Sequence, residues 1–258
     1  MSHSIWTLEI TSGNKYLFCL VSDPEHRYSV LQYDISSREL IKNYSGLREN
    51  GYVKAEGIFS IVTTFDSKYL IIGHKDGFVA QVCIESQKVI KQYSNGVKQE
   101  ISSMAMLKND EYVMLGYSNG FIKKVSINNN ECLQSYGPIY GNGGFAEDIG
   151  AIHMGLDDKS FFVYSIDVEL VGHGGGVTIL DYCVAFKEIN LENGETIKDY
   201  GEIACNNFGS TQIVCVSKDR QHIFTSSFKQ AMKLYSARNG SLIGSYDNIF
   251  QEIGSICD

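Results

Sequence analysis

The sequence predicts an all-β fold made of a repeated unit of four antiparallel strands, and three observations predict it. The first is an internal repeat: residues 73–93, 116–136 and 226–246 align position by position, and residues 27–44 match the last eighteen positions of that frame. The second is the patterning. Apolar residues alternate or form short continuous runs, and the runs are separated by clusters of Asp, Asn, Gly and Ser. The third is that no window of about twelve residues combines a 3.6-residue period with helix caps.

Five units follow in order. The first spans residues 5–44: an apolar run, a turn at Ser12-Gly13-Asn14, a second run, a turn through Glu25-His26-Arg27, then two further strands. In the second, residues 58–93, Asp76-Gly77 marks the central hairpin, and in the third, residues 101–136, Asn119-Gly120 does the same. Both pairs predict two-residue type I′ loops with positive φ at each central residue. Lys108-Asn109-Asp110 supplies the third unit's first turn. The fourth and fifth units cover residues 149–200 and 211–246, and residues 253–257 begin the inner strand of a sixth. A tyrosine closes each unit, at positions 44, 93, 136, 200 and 246. The spacing is 43 to 49 residues except before Tyr200, where it is 64. That excess falls in residues 137–148 and in a hairpin over residues 165–177.

This layout resembles the WD-repeat β-propeller family over nearly the whole chain. Asn14-Lys15-Tyr16-Leu17, Ser67-Lys68-Tyr69-Leu70 and Asp76-Gly77 fall on the family pattern in register. The Trp-Asp signature itself is replaced: Tyr33-Asp34 and Tyr235-Ser236 stand there in the first and fifth units, Val82-Cys83 and Val125-Ser126 in the second and third. The Gly-His pair ahead of the inner strand is absent, so tyrosine or apolar packing must replace the family's buried hydrogen-bond relay. The resemblance implies a β-propeller of four-stranded antiparallel blades, five of them complete plus the first strand of a sixth. A lone inner strand leaves backbone groups unpaired, so the expectation is a single domain that is the N-terminal part of a larger propeller. A closed five-blade ring is the alternative, as is completion by another chain.

Composition narrows the function classes. The chain has 258 residues, 43% of them hydrophobic, and only two prolines, which argues against disorder. Seven cysteines without a Cys-x-x-Cys pair fall mostly inside strand patterns, and read as buried reduced thiols of a cytoplasmic or other reducing compartment. The N-terminus carries no signal-peptide pattern, and no apolar run approaches the roughly 18 residues of a membrane span. A net charge of −8, with Lys and Arg never clustered beyond pairs, argues against nucleic acid. The expected partners are therefore proteins, with no cofactor, no membrane insertion and no small-molecule substrate.

Two motifs invite an enzymatic reading. Gly116-Tyr117-Ser118-Asn119-Gly120 fits the G-x-S-x-G nucleophile elbow, and His173-Gly174-Gly175-Gly176 fits an oxyanion loop. The elbow must lead into a helix, whereas residues 121–127 alternate as a strand. The oxyanion loop also follows the serine instead of preceding it. The second unit repeats the same frame as Gly73-His74-Lys75-Asp76-Gly77, so a hairpin explains the glycines. The six histidines show no metal-ligand spacing. The inner strands carry Thr7, Ser60, Thr63, Ser103, His153 and Cys215, too few acids for hydrolysis over a central channel.

The expected function is a non-catalytic protein–protein interaction scaffold, a subunit of a multi-protein assembly of cytoskeletal, ciliary or similar kind. The alternatives are a reader of a specific peptide or modification and, behind it, a hydrolase at the channel. Candidate protein-binding residues sit on the turns between second and third strands: Glu25, His26 and Arg27; His74, Lys75 and Asp76; Tyr117 and Asn119; Val171 and His173; Phe228 and Lys229. The long hairpin over residues 165–177, with Val168, Leu170 and Val171, is expected to project toward a partner.

Overall fold

A computed structural model describes residues 4–25, 28–44, 58–94, 98–139, 146–155, 158–173, 177–205, 213–217, 221–226 and 232–246. The fold is all-β: five four-stranded antiparallel sheets of propeller-blade topology, each with its strands paired in chain order, and no helix among the described residues. The first blade comprises β1 (Ser4–Ile10), β2 (Tyr16–Ser22), β3 (Tyr28–Asp34) and β4 (Leu40–Asn43). The second comprises β5 (Ile58–Thr63), β6 (Tyr69–His74), β7 (Phe78–Cys83) and β8 (Lys88–Ser94). The third comprises β9 (Ile101–Met106), β10 (Tyr112–Tyr117), β11 (Ile122–Ser126) and β12 (Cys132–Tyr136). The fourth has β13 (Ala146–Met154), β14 (Ser160–His173), β15 (Val177–Asn190) and β16 (Thr196–Cys205). The fifth has β17 (Ile213–Val216), β18 (His222–Ser226), β19 (Met232–Ser236) and β20 (Leu242–Tyr246). The predicted sixth inner strand, residues 253–257, lies outside the described residues.

The chain divides into two compact units, Met1–Pro138 with Asp148–Ile152, and Ile139–Glu147 with His153–Asp258. In the first unit each blade is apolar on both faces and packs on its neighbour. Phe18, Leu20 and Val30 of the first blade meet Ile58, Ile61, Leu70, Ile72 and Val82 of the second. The second blade's opposite face sends Val62, Ile71 and Val79 against Ile101, Met104, Val113 and Leu115 of the third. Alternation on β6 produces this division, since Leu70 and Ile72 point one way and Ile71 the other. A central segment of β13 continues the stack onto the third blade. There Ser102 Oγ donates to Ile149 O at 2.9 Å, and Ile152 N–H donates to Ser103 Oγ at 3.1 Å.

The turns repeat as faithfully as the strands. Between first and second strands, Asn14, Ser67, Asp110 and Asp158 occupy one position and all take positive φ, near 55°. Between third and fourth strands, Arg38, Gln87, Asn130, Gly194 and Gly240 do the same. The residue that follows each third strand, Ile35, Ile84, Ile127, Leu191 or Ala237, donates its N–H to the carbonyl just ahead of the second strand, that of Lys15, Lys68, Glu111, Lys159 or Gln221. Asp34 closes its turn directly: Oδ1 accepts the N–H groups of Ser36 and Ser37, both at 2.9 Å.

The central hairpins differ from the prediction. Positive φ occurs at Gly77 (79°) and Gly120 (78°) but not at Asp76 or Asn119. Gly77 N–H bonds His74 O and Gly120 N–H bonds Tyr117 O, each at 3.1 Å. These are three-residue loops, a type I turn closed by a left-handed glycine, and not type I′ pairs. The extra residue lets the Asp or Asn side chain accept the N–H two residues on, from Phe78 at 3.4 Å and from Phe121 at 3.3 Å. The cysteine expectation also needs one correction. Cys19 is buried, but Cys83 is half-buried and Cys132 exposed, because β12 is an edge strand.

Candidate functional site

The turn residues expected to contact partners do not share one environment. Glu25 and Lys75 are exposed, and His74, Asp76 and Asn119 are half-buried. Tyr117 corrects the expectation: its side chain is wholly buried in the core between the second and third blades. It ends β10 facing inward, so it is a packing residue and not a rim residue. Val171 and His173 lie in the backbone ladder of β14 and β15, paired with Ile179 and Val177. His26, Arg27, Phe228 and Lys229 lie outside the described residues. The elongated hairpin is present as a ladder running from Ser160↔Asn190 to His173↔Val177, beyond the last β15–β16 pair, Tyr182↔Cys205. Ser118 sits on the hairpin between β10 and β11, its N–H bonded to Glu100 O at 3.0 Å, with no strand-to-helix elbow around it. Among the described residues no cluster of three or more His, Cys, Asp or Glu has a metal-binding arrangement.

An apolar sheet face is open on the first blade. Register places Ile5 opposite Val21, Leu8 opposite Cys19, and Ile10 opposite Leu17, with Cys19 opposite Leu31 and Leu17 opposite Tyr33. Directly opposed residues share a face, so these line one apolar face, whose exposed part is the β1 rim, Val21 and Cys19 beside it being buried. Ile5 is 63% exposed and Leu8 55%. Their counterparts Ile58 and Ile61 on the second blade are 6% and 5% exposed, because the first blade covers them. The other side of β1 is engaged: Glu9 accepts Thr63 N–H at 3.0 Å and Thr63 Oγ1–H at 2.9 Å. Burial raises the Glu9 pKa, and these two hydrogen bonds oppose the rise.

A cleft opens within the second unit, between the fourth and fifth blades. Its volume is about 630 Å³, and Ser160, Phe162, Glu188, His222, Ser236 and Arg238 are among its walls. The repeat explains why it exists. Ser160 is the first residue of β14, and Tyr16, Tyr69 and Tyr112 hold that place in the first three blades. Across the cleft, Ala237 follows β19 where Ile35, Ile84, Ile127 and Leu191 follow the other third strands. One ring and one branched side chain are thus missing at a single interface. Glu188 lies opposite Phe162 in the ladder, the place that Gln32 takes opposite Phe18. Ser160 Oγ donates to Glu188 Oε1 at 2.8 Å. The cleft is braced rather than collapsed: Tyr200 OH donates to Ala237 O at 2.7 Å, and the Lys198 ammonium caps the carbonyls of Ala237 and Arg238. Lys91 makes the same clamp between the second and third blades, on Ile127 O (3.2 Å) and Asn128 O (2.5 Å). Burial pushes the Tyr200 phenol well above its ordinary pKa, and the Glu188 charge adds to the rise.

No family model matches the chain, and no curated protein matches it either. The cleft residues were not among those singled out from the sequence. The signal was nonetheless present, as departures from the repeat: Ser160 against three tyrosines, and Ala237 against Ile and Leu.

Proposed function

We propose that this chain is a non-catalytic protein–protein interaction scaffold, one subunit of a larger assembly. The observation that carries the reading is the open face of the first blade, where Ile5, Leu8 and Ile10 stand in water at positions the repeat elsewhere buries under a neighbouring sheet. Contiguous exposed apolar surface on a stiff sheet marks a place where another surface docks. The geometry of such a face favours a second β-sheet with an apolar side, since that is what covers its counterparts. Blades held by shared turns and interblade lysine clamps lose little entropy on binding, which suits assembly work. Kinship with WD-repeat scaffolds is part of this reading, supported by the four-strand unit and by the turn-closing role of Asp34. The thiols of Cys19, Cys83 and Cys132 fit a reducing, cytoplasmic setting. Among the described residues no helix is long and apolar enough to cross a membrane.

The test is affinity capture from native extract with the wild-type chain and with an Ile5→Asp, Leu8→Asp double variant. A stoichiometric protein retained by the first and released by the second is the expected result. Equal retention by both, or turnover of a small substrate by the purified monomer, would sink the proposal.

A further inference from the structure

We propose that Trp6, Tyr28, Phe59 and Glu100 form a docking site for an arginine side chain on an extended segment of a partner protein. The inference rests on the reading of the chain as a protein-binding scaffold, but not on the open face of Ile5 and Leu8. The site comes from a bulge that the repeat places near the start of its inner strands. On β1 the register jumps between Ile5 and Thr7, and on β5 between Ile58 and Ser60. On β9 the pairs Ile101↔Tyr117 and Ser103↔Gly116 leave Ser102 over. Each bulge takes one residue out of the ladder and re-aims it. Those residues are Trp6, Phe59 and Ser102, and the first two are aromatic.

These two rings meet a third. Tyr28, the first residue of β3, has its ring centroid 5.8 Å from that of Trp6 and 5.4 Å from that of Phe59. The aromatic row thus crosses from the first blade to the second. Trp6 is 57% exposed although its Nε1–H is fixed on Ser22 Oγ at 2.9 Å, and Tyr28 and Phe59 are half-buried. An indole anchored by its edge offers a ring face at little further entropy cost. Ring faces attract cations, and the row already holds one, since Lys75 Nζ lies 6.0 Å from the Phe59 centroid. Lys75 stands at the Phe59 end, which leaves Trp6 and Tyr28 to a ligand. Glu100 completes the site. It precedes β9 and is half-buried, and its carboxylate makes no hydrogen bond or ion pair among the described residues. Burial raises the Glu100 pKa, and the Lys75 charge opposes the rise. Burial also raises the Tyr28 phenol and the Glu100 charge adds to it, which sets the carboxylate beside the aromatic row. A planar cation that stacks on rings and grips a carboxylate through a fork of N–H donors is a guanidinium. The chain's net charge of −8 favours the approach of a basic segment.

The experiment selects random peptides on the full chain and discards those that bind Trp6→Ala equally well. The peptides that remain are expected to share an arginine. Trp6 is the only tryptophan, so its fluorescence reports binding at this place for each of them. Replacing the shared arginine by glutamine is expected to weaken binding roughly tenfold or more. Glu100→Gln keeps the shape of the side chain and removes its charge, and should weaken binding by a similar factor. Lys75→Met removes the resident cation and should tighten binding about two- to fivefold. If the selected peptides share no arginine, or if Glu100→Gln leaves their affinity unchanged, the assignment is wrong. Either outcome is independent of capture through Ile5 and Leu8, where loss of the scaffold reading would show.

Discussion

At the scale of single residues, the closing tyrosines make one sequence position do different chemical work. Tyr44 is 1% exposed, and its hydroxyl donates to Gln32 Oε1 at 2.5 Å; burial pushes its pKa up to about 12. Tyr93 holds the same place in the second blade, but its hydroxyl is buried with no hydrogen-bond partner among the described residues. The ring contributes packing at both positions, so only the oxygen differs. Removing a hydroxyl that serves a buried acceptor costs the desolvation of the acceptor left behind, whereas removing an unserved one relieves a cost already present. Tyr44→Phe is therefore expected to destabilise by about 1–3 kcal/mol, and Tyr93→Phe to be neutral or slightly stabilising. Urea midpoints of the two variants, measured side by side, check the contrast; equal losses would mean that the tyrosines act through their rings alone.

Among the strands and turns, the repeat made most of the fold legible. Alternation and turn residues located the strands of all five blades, and the closing tyrosines set the unit length, because period-two patterning on a sheet buried on both faces is rigidly tied to register. The hairpin loops were legible as turns but not as turn types. Asp-Gly serves a type I′ pair or a three-residue loop equally well, and the length of the flanking ladder decides between them. Tyr117 escaped for a related reason: it follows Gly116 at the end of β10, and only the packing of the neighbouring blade shows which way it faces. The cleft escaped because a missing side chain carries no motif. Gly116 is a readable case in the other direction. A Cβ placed there would stand 2.7 Å from Ile149 Cγ2 and 2.9 Å from its Cβ, and at Gly73 the same atom would stand 2.8 Å from Ile101 Cγ2. Ile101, which begins β9, and Ile149, within β13, lie directly over these glycines, so the repeat needs hydrogen here for reasons of approach, the φ being ordinary. A branched Cβ on the facing strand has no rotamer that yields. Gly116→Ala is expected to cost about 1–3 kcal/mol by overpacking, read as a fall in the urea midpoint. Adding Ile149→Ala should recover part of the loss, since the two sites share one contact.

For the whole molecule, a stack of similar sheets predicts uneven stability, because each blade owes much of its burial to its neighbours. The second blade has both faces covered: Leu70, Ile71 and Ile72 of β6 are all 0% exposed. The first blade has one covered face and one open, and β1 alternates between Glu9 bonded to Thr63 and Leu8 in water. Hydrogen exchange should follow that asymmetry. Amides of β5 are expected to exchange only through the largest openings of the first unit, and those of β1 through much smaller ones, although each is the edge strand of its sheet and is paired on one side only. Hydrogen bonding alone predicts no such difference, so the comparison isolates the contribution of sheet-on-sheet burial. The concentration dependence then separates two ways of covering the open face. Protection of β1 that rises with protein concentration means that copies of the chain cover one another. Protection that appears only on adding a captured partner means that the face is kept for that partner, and β1 as slow as β5 at every dilution would show the face already covered within one chain.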